Sequence, residues 1–380
     1  MKHDHRLDGI RGLAVLLVLC HHALQEIPAR SALDSAVFNL AGTLWFGVDF
    51  FFVLSGFLIT GILLRNRKKP NYFRSFYARR ILRIFPLYFC LLPGILLLAK
   101  HYSGSTHWPV DTPYDFLYLS NVHNALHGWP SRFASHLWSL SVEEQFYVVW
   151  PLLFIGACRV AGRERRDDTL VPLLVVIILA SLLWSIHLTS INSTQAFFSP
   201  FTRAWELALG ALLAVTAEKM QHMPRWSGGA LRVAGLLAIL LSTWFMSSTT
   251  VWPGAHSIIP VVGAALMIAG GSVSPDSGFD VVTNFPVIQW IGLISYSLYL
   301  VHWPILTIAA EHSISPLSRG TEWELAGVSV VVAAVSYYLI ERPVRNFSLL
   351  VRYRWLTYLM GAALIGLTYA VIFWHLHNQG

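Results

Sequence analysis

Charge is what this sequence has least of. Only 12% of its 380 residues are Asp, Glu, Lys or Arg, against about 25% in an ordinary soluble domain. A chain so poor in charge cannot cover a water-exposed globule of this size. Cysteine is scarce too: Cys20, Cys90 and Cys158 are the only three. Their number is odd, their spacing is unlike a metal site, and each lies in an apolar run. They read as small core residues, so neither a disulfide framework nor a structural metal is expected. There is no low-complexity tract and no internal repeat, which weakens any architecture built on inverted repeats.

What replaces charge is apolar length. Hydrophobic residues make up 55% of the chain. They gather into roughly eleven candidate spans, at 8–27, 41–64, 81–99, 137–157, 170–188, 199–217, 230–248, 256–271, 287–309, 323–341 and 354–375. The fold class that follows is all-α: a polytopic integral membrane protein of about ten or eleven transmembrane helices around a polar cavity. The spans near residues 8, 137 and 256 are the marginal ones, and the last of these has the composition of a tilted or partly re-entrant segment. The segment between Lys100 and His136 is too short to fold alone. One membrane domain over 1–380 is the expected organisation. The N-terminal run has the outline of a signal peptide. Asp8 and Arg11 crowd its apolar core and no small-x-small cleavage site follows, so it reads as a retained first span.

The formal net charge of +7 is unevenly placed. Arg65, Arg67, Lys68, Lys69, Arg74, Arg79 and Arg80 fall between the second and third spans. Arg159, Arg163, Arg165 and Arg166 fall in a later loop on the same side, and Arg342, Arg345 and Arg352 in the last. Arg30, Arg132 and Arg319 are scattered on the other side. The positive-inside rule then puts the N-terminus in the cytoplasm and the C-terminus outside. The basic excess is accounted for by membrane lipids and topology, without nucleic acid.

Inside the spans, ionisable residues are too many for packing alone. Arg11 and His22 are separated by three helical turns and about 20°, so they share one face about 16 Å apart along the axis. Depth arithmetic brings His22, Asp49, Glu143, Arg203, Glu206 and His302, from five spans, to one layer about 6–10 Å below the outer surface. Arg203 and Glu206 are spaced to pair at i, i+3. Ser139, Glu143 and Tyr147 follow one helical face, as do Ser295, Tyr299 and His302. A carboxylate beside a histidine orients the ring and stabilises imidazolium, and Glu143 is the candidate partner of His22. His21 points about 100° away and reads as a packing histidine. At the opposite membrane edge, Arg79, Arg80 and Arg83 form a fork of guanidinium groups suited to phosphate. Ser55 and Gly56 permit close approach, of another helix or of a thin ligand. Trp108, Pro109, Trp129 and Pro130 suit either the lip of an outer cleft or an aromatic interfacial belt. Such a buried polar layer fits two functions: group-transfer chemistry, or proton-coupled transport of a polar or anionic solute.

Seven motifs occur in a set order: LDGIRGLA (Leu7–Ala14) with its Arg11-x10-His22 pair, FFVLSG (Phe51–Gly56), FYARRILRIFP (Phe76–Pro86), LWSLSVEEQFY (Leu137–Tyr147), RAWE (Arg203–Glu206), GLISYSLYLVHWP (Gly292–Pro304) and YLIERP (Tyr338–Pro343). Together they resemble the membrane acyltransferase-3 family of O-antigen, peptidoglycan and Nod-factor O-acylases, over residues 7–343. The resemblance implies an acyl-CoA donor, usually acetyl-CoA, at the inner face of a bacterial plasma membrane. It implies a carbohydrate or glycolipid acceptor at the outer face. His22 would carry the proton chemistry, with Glu143 and Arg203 assisting. Asp49, Glu206 and His302 would complete the buried layer, and Arg11, Arg79, Arg80 and Arg83 would hold the CoA phosphates. The pantetheine arm would thread past Ser55 and Gly56. No metal is implied. Some family members append a secreted esterase-like domain after the last span. None is expected here before Gly380, so any delivery role of that domain would be absent or supplied by a partner.

Overall fold

The computed structural model describes residues 5–24, 32–103, 112–129, 133–161, 166–247, 249–274, 282–313 and 317–377. Arg30, Trp108, Pro109, Pro130, Arg132, Arg163 and Arg165 lie outside them. Among the described residues every regular element is a helix.

Seven helical stretches are long and apolar enough to cross a membrane: His5–Leu24, Val37–Asn66, Tyr72–Leu98, Thr169–Ile191, Arg225–Phe245, Gly254–Val273 and Arg319–Arg345. An eighth is a pair, Pro286–Leu293 and Ser295–Glu311, bent by 76°. Three further expected spans are also long helices, Trp138–Ala161, Pro200–Met220 and Arg354–His377. Two of these hold charge that lowers their apolarity: half-buried Glu143 and Glu144 in one, buried Arg203 and Glu206 in the other. Each expected span thus has its helix, and the chain is a multi-pass, all-α membrane protein.

We number the main helices α1 (His5–Leu24), α2 (Gly47–Asn66), α3 (Tyr72–Ser103), α4 (Trp138–Ala161), α5 (Arg166–Ile191), α6 (Pro200–Met220), α7 (Arg225–Phe245), α8 (Ile258–Val273), α9 (Ser295–His312), α10 (Arg319–Ser336) and α11 (Arg354–His377). Three local features position the site. The third span begins earlier than its apolar run: α3 starts at Tyr72, so Arg79 and Arg80 stand on a helix and not in a loop. The ninth breaks at Ile294, whose φ of −92° and ψ of 4° mark the bend. Helix α6 starts sharply because the Ser199 side chain accepts from the Phe201 amide and Pro200 occupies the first turn. Arg203 and Glu206 therefore fall in its first two turns.

Glycine sets how closely α2 and α6 cross. A Cβ at Gly56 would collide with the Leu207 carbonyl, and one at Gly210 with the Val53 carbonyl. Of the two readings of Gly56, approach of another helix is the one the fold adopts. Around this crossing, Val15, Val18, Leu87, Tyr88, Trp150, Leu298 and Leu300 form a buried core joining α1, α3, α4 and α9. The three cysteines are free, and Cys90 is exposed instead of buried in the core.

Candidate functional site

The six residues expected in one layer form three separate groups. The first is an ion cluster. Arg203 donates through Nη2 to Asp49 Oδ1, and its Nη1 lies 3.0 Å from Glu206 Oε1. All three are at most 1% exposed. The guanidinium also faces Phe52 and Trp138, at 5.4 and 5.7 Å from their ring centroids. One cation between two carboxyls, walled by aromatics, joins α2 to α6 and lines neither of the cavities described below. Sequence spacing anticipates the Arg203–Glu206 pair; Asp49 is the added partner.

The second group is built on Glu143. Ser55 donates to its Oε1 at 3.0 Å and the Tyr147 hydroxyl to its Oε2 at 2.7 Å. The Arg80 guanidinium lies 3.9 Å from the centre of the Tyr147 ring. These residues line a narrow cavity of about 80 Å³ between α2, α3, α4 and α9, together with Arg11, Arg83, Ser139, Glu144 and Tyr299. Both oxygens of Glu143 are thus engaged away from His22, so the expected Glu143–His22 contact is absent.

The third group is a pair of histidines. His22 Nδ1 lies 2.9 Å from His302 Nε2, and the rings are 5.1 Å apart. Trp303 packs on His22 at 4.4 Å. His136, which the sequence reading passed over, sits 5.7 Å from His302. It lies just ahead of the apolar run, so span counting hides it. His21 is buried with Nδ1 2.8 Å from the Ala41 carbonyl, as a packing histidine should be. His22 lines neither cavity. Tyr299 stands between: it lines the narrow cavity, and its ring is 5.6 Å from His302. Its hydroxyl is 2.6 Å from Ser139 Oγ and donates to the His136 carbonyl at 2.8 Å.

A much larger cavity, about 1070 Å³, adjoins the narrow one through Arg11, Leu58, Arg80 and Arg83, which line both. Nine arginines line it: Arg6, Arg11, Arg65, Arg79, Arg80, Arg83, Arg232, Arg345 and Arg354. Asp8, bonded to Arg11 at 3.2 Å, is the one carboxyl among its lining residues. The arginine fork on α3 is therefore part of a far larger assembly. Arg65 and Arg345 read as loop charges in sequence, and Arg6, Arg232 and Arg354 carry no sequence signal; only the fold gathers them. Gly56 lines neither cavity, being packed against α6. Beside the large cavity α10 runs on into a π-helical turn, Tyr337–Glu341, a form frequent at functional sites. There Glu341 accepts from Ser297 at 2.9 Å and pairs with Arg345 at 3.5 Å. Among the described residues no group of three His, Cys, Asp or Glu is placed to hold a metal ion.

The sequence model of the acyltransferase domain family, acyltransferase-3, matches residues 4–341, and the chain belongs to this family. Among curated relatives, it is 28% identical over 370 residues to peptidoglycan O-acetyltransferase OatA of Listeria monocytogenes, covering 91% of this chain and 56% of that one. It is 26% identical over 371 residues to the putative peptidoglycan O-acetyltransferase YrhL of Bacillus subtilis, covering 90% and 54%. A putative O-acetyltransferase of Staphylococcus aureus is 25% identical over 365 residues, covering 91% and 58%. The chain thus spans a little over half the length of these relatives. No solved structure matches it.

Proposed function

We propose that this protein is an O-acyltransferase that moves an acyl group, an acetyl group by analogy with its relatives' names, from acyl-CoA to a carbohydrate hydroxyl across the membrane. The observation that carries this reading is the pairing on one helix. Arg11 of α1 lines the arginine cavity, and three turns along the same helix His22 meets His302. A cavity with nine cations and one carboxyl suits a polyanion, and the diphosphate and 3′-phosphate of CoA supply that charge. By the charge bias of the loops, the cavity opens to the cytoplasm, and the histidine pair lies toward the outer face.

In this reading Arg11, Arg80 and Arg83 hold the phosphates where the two cavities meet. The pantetheine arm enters the narrow cavity past Ser55. Tyr299 stands between the arm and the histidines, so its side chain swings off Ser139 as the thioester passes. His22 then acts as general base on the acceptor hydroxyl. The Arg203 cluster braces the α2–α6 crossing; held between two carboxyls and lining neither described cavity, Arg203 is given no part in the transfer. Because two of the relatives are named for peptidoglycan, glycan strands of the cell wall are the first acceptor to assay.

The test is acetyl release into glycan by membranes carrying the full chain, with acetyl-CoA as donor and mass spectrometry of the glycans as readout. Wild-type membranes add one acetyl mass, and His22→Ala lowers the rate by at least about 100-fold. Full transfer by His22→Ala, or equal transfer without an acyl-CoA, sinks the proposal.

A further inference from the structure

The hydrogen bonds of the histidine pair have a direction, and it can be read from its buried end. His302 is fully buried, and its Nδ1 lies 3.0 Å from the carbonyl of Leu298, one turn back along α9. A carbonyl oxygen can only accept, so this nitrogen carries a proton. In a neutral imidazole the second nitrogen is then bare and can only accept. That bare atom, His302 Nε2, faces His22 Nδ1 at 2.9 Å. His22 must therefore be the donor across the pair, which leaves the lone pair of His22 on Nε2. Among the described residues no carboxylate hydrogen bonds to either ring to pull the protons the other way.

We propose that His302 is a positioning residue. It holds His22 in the Nδ1–H tautomer, and a main-chain carbonyl, through His302, takes the place that a carboxylate occupies behind the basic histidine of many hydrolases. A half-turn of the His22 ring would carry Nδ1 away from His302 and break the bond, so the orientation and the tautomer are set together. This rests on the acyl-transfer reading above. As the acceptor oxygen attacks the thioester carbonyl, its proton passes to Nε2 of His22. The ring becomes an imidazolium whose Nδ1–H still points at His302. The carbon–sulfur bond breaks and its electron pair stays on sulfur. The proton on Nε2 then passes to that sulfur, releasing CoA as the free thiol and the sugar as its ester. His302 gains and loses no proton over the cycle.

Two measurements test it. The first uses the purified full chain in lipid nanodiscs, with acetyl-CoA and a soluble glycan acceptor. His302→Leu keeps bulk but removes the acceptor atom; kcat falls about 100-fold or more, with KM for acetyl-CoA within about twofold. His302→Gln can place an amide oxygen near the lost Nε2, and recovers kcat to within about tenfold of wild type. A merely structural role would not separate Leu from Gln, so equal loss in both, or full activity in Leu, overturns the proposal. The second needs no activity and no variant at His302. Nitrogen-15 solid-state spectra of histidine-labelled wild type, assigned by difference against His22→Asn, show His22 protonated at Nδ1 and bare at Nε2. The opposite tautomer overturns the proposal even where transfer is normal. Retained transfer in His22→Ala would instead remove the acyl-transfer reading of His22 and leave the tautomer measurement standing.

Discussion

Arg203 is closed in, whereas Arg83 looks into open space. The first lies at 1% exposure between Asp49 and Glu206, beneath Phe52 and Trp138, and lines neither of the two cavities described. The second is half-buried where two cavities meet, among eight other arginines and a single carboxyl. Both are arginines placed within apolar helices, where a charge is expensive. In one place the protein supplies the counter-charge itself. In the other, nine arginines and one carboxyl line the same cavity. The difference separates a residue that holds two helices together from one that we propose meets a ligand, although in sequence each is one arginine in an apolar run.

The largest effect should come from breaking the closed cluster. Arg203→Met strands two buried carboxyls and should cost about 3–5 kcal/mol of stability. The sign is loss of monodisperse protein in detergent and a lower thermal midpoint. The triple variant Asp49→Asn, Arg203→Met, Glu206→Gln removes the charges together and should regain most of that stability. If the triple variant is stable yet inactive, Arg203 takes part in the chemistry and the contrast with Arg83 collapses.

An intermediate effect belongs to the junction. Arg83→Gln should leave the thermal midpoint near wild type and raise KM for acetyl-CoA about tenfold or more, the loss of one charge-assisted contact. A fall in stability comparable to that of Arg203→Met would show that Arg83 is structural after all. The smallest effect is expected at the rim. Arg79 is exposed and lines only the large cavity. Arg79→Gln should shift KM by no more than about threefold, and the shift should vanish as salt rises. A salt-independent loss equal to that of Arg83→Gln would make the cavity uniform, with no inner and outer cations.

The sequence made the helices legible because length and apolarity alone specify a membrane span. Even the two that charge weakens, α4 and α6, stood out, since their flanks are apolar. An expectation of depth was legible in the same way, from rise per residue. Azimuth was not. Arithmetic along an axis puts His22, Glu143 and Arg203 at one level without saying which neighbour each faces, so one layer became three groups. The His22–His302 bond joins residues 280 apart, and no periodicity reports such a contact. Local pairs were readable: Arg203 with Glu206, and Tyr147 with Glu143, follow from helical spacing. The basic cavity was only half visible. Arg79, Arg80 and Arg83 share one helix, whereas Arg6, Arg232 and Arg354 reach it from three others.

Tyr299 has a meaning beyond the handling of a thioester. Membranes of living cells hold a voltage, and in the orientation we propose a chamber of about 1070 Å³ leads inward and is a hazard to it. The passage narrows to about 80 Å³, and its lining includes the phenol of Tyr299, bonded to Ser139 and to the His136 carbonyl. Behind that phenol lies a string of imidazoles, the side chains best suited to pass protons in single file. In the proposed orientation the Ser139–Tyr299 bond would also serve as an insulator, letting a catalyst span the bilayer without becoming a short circuit.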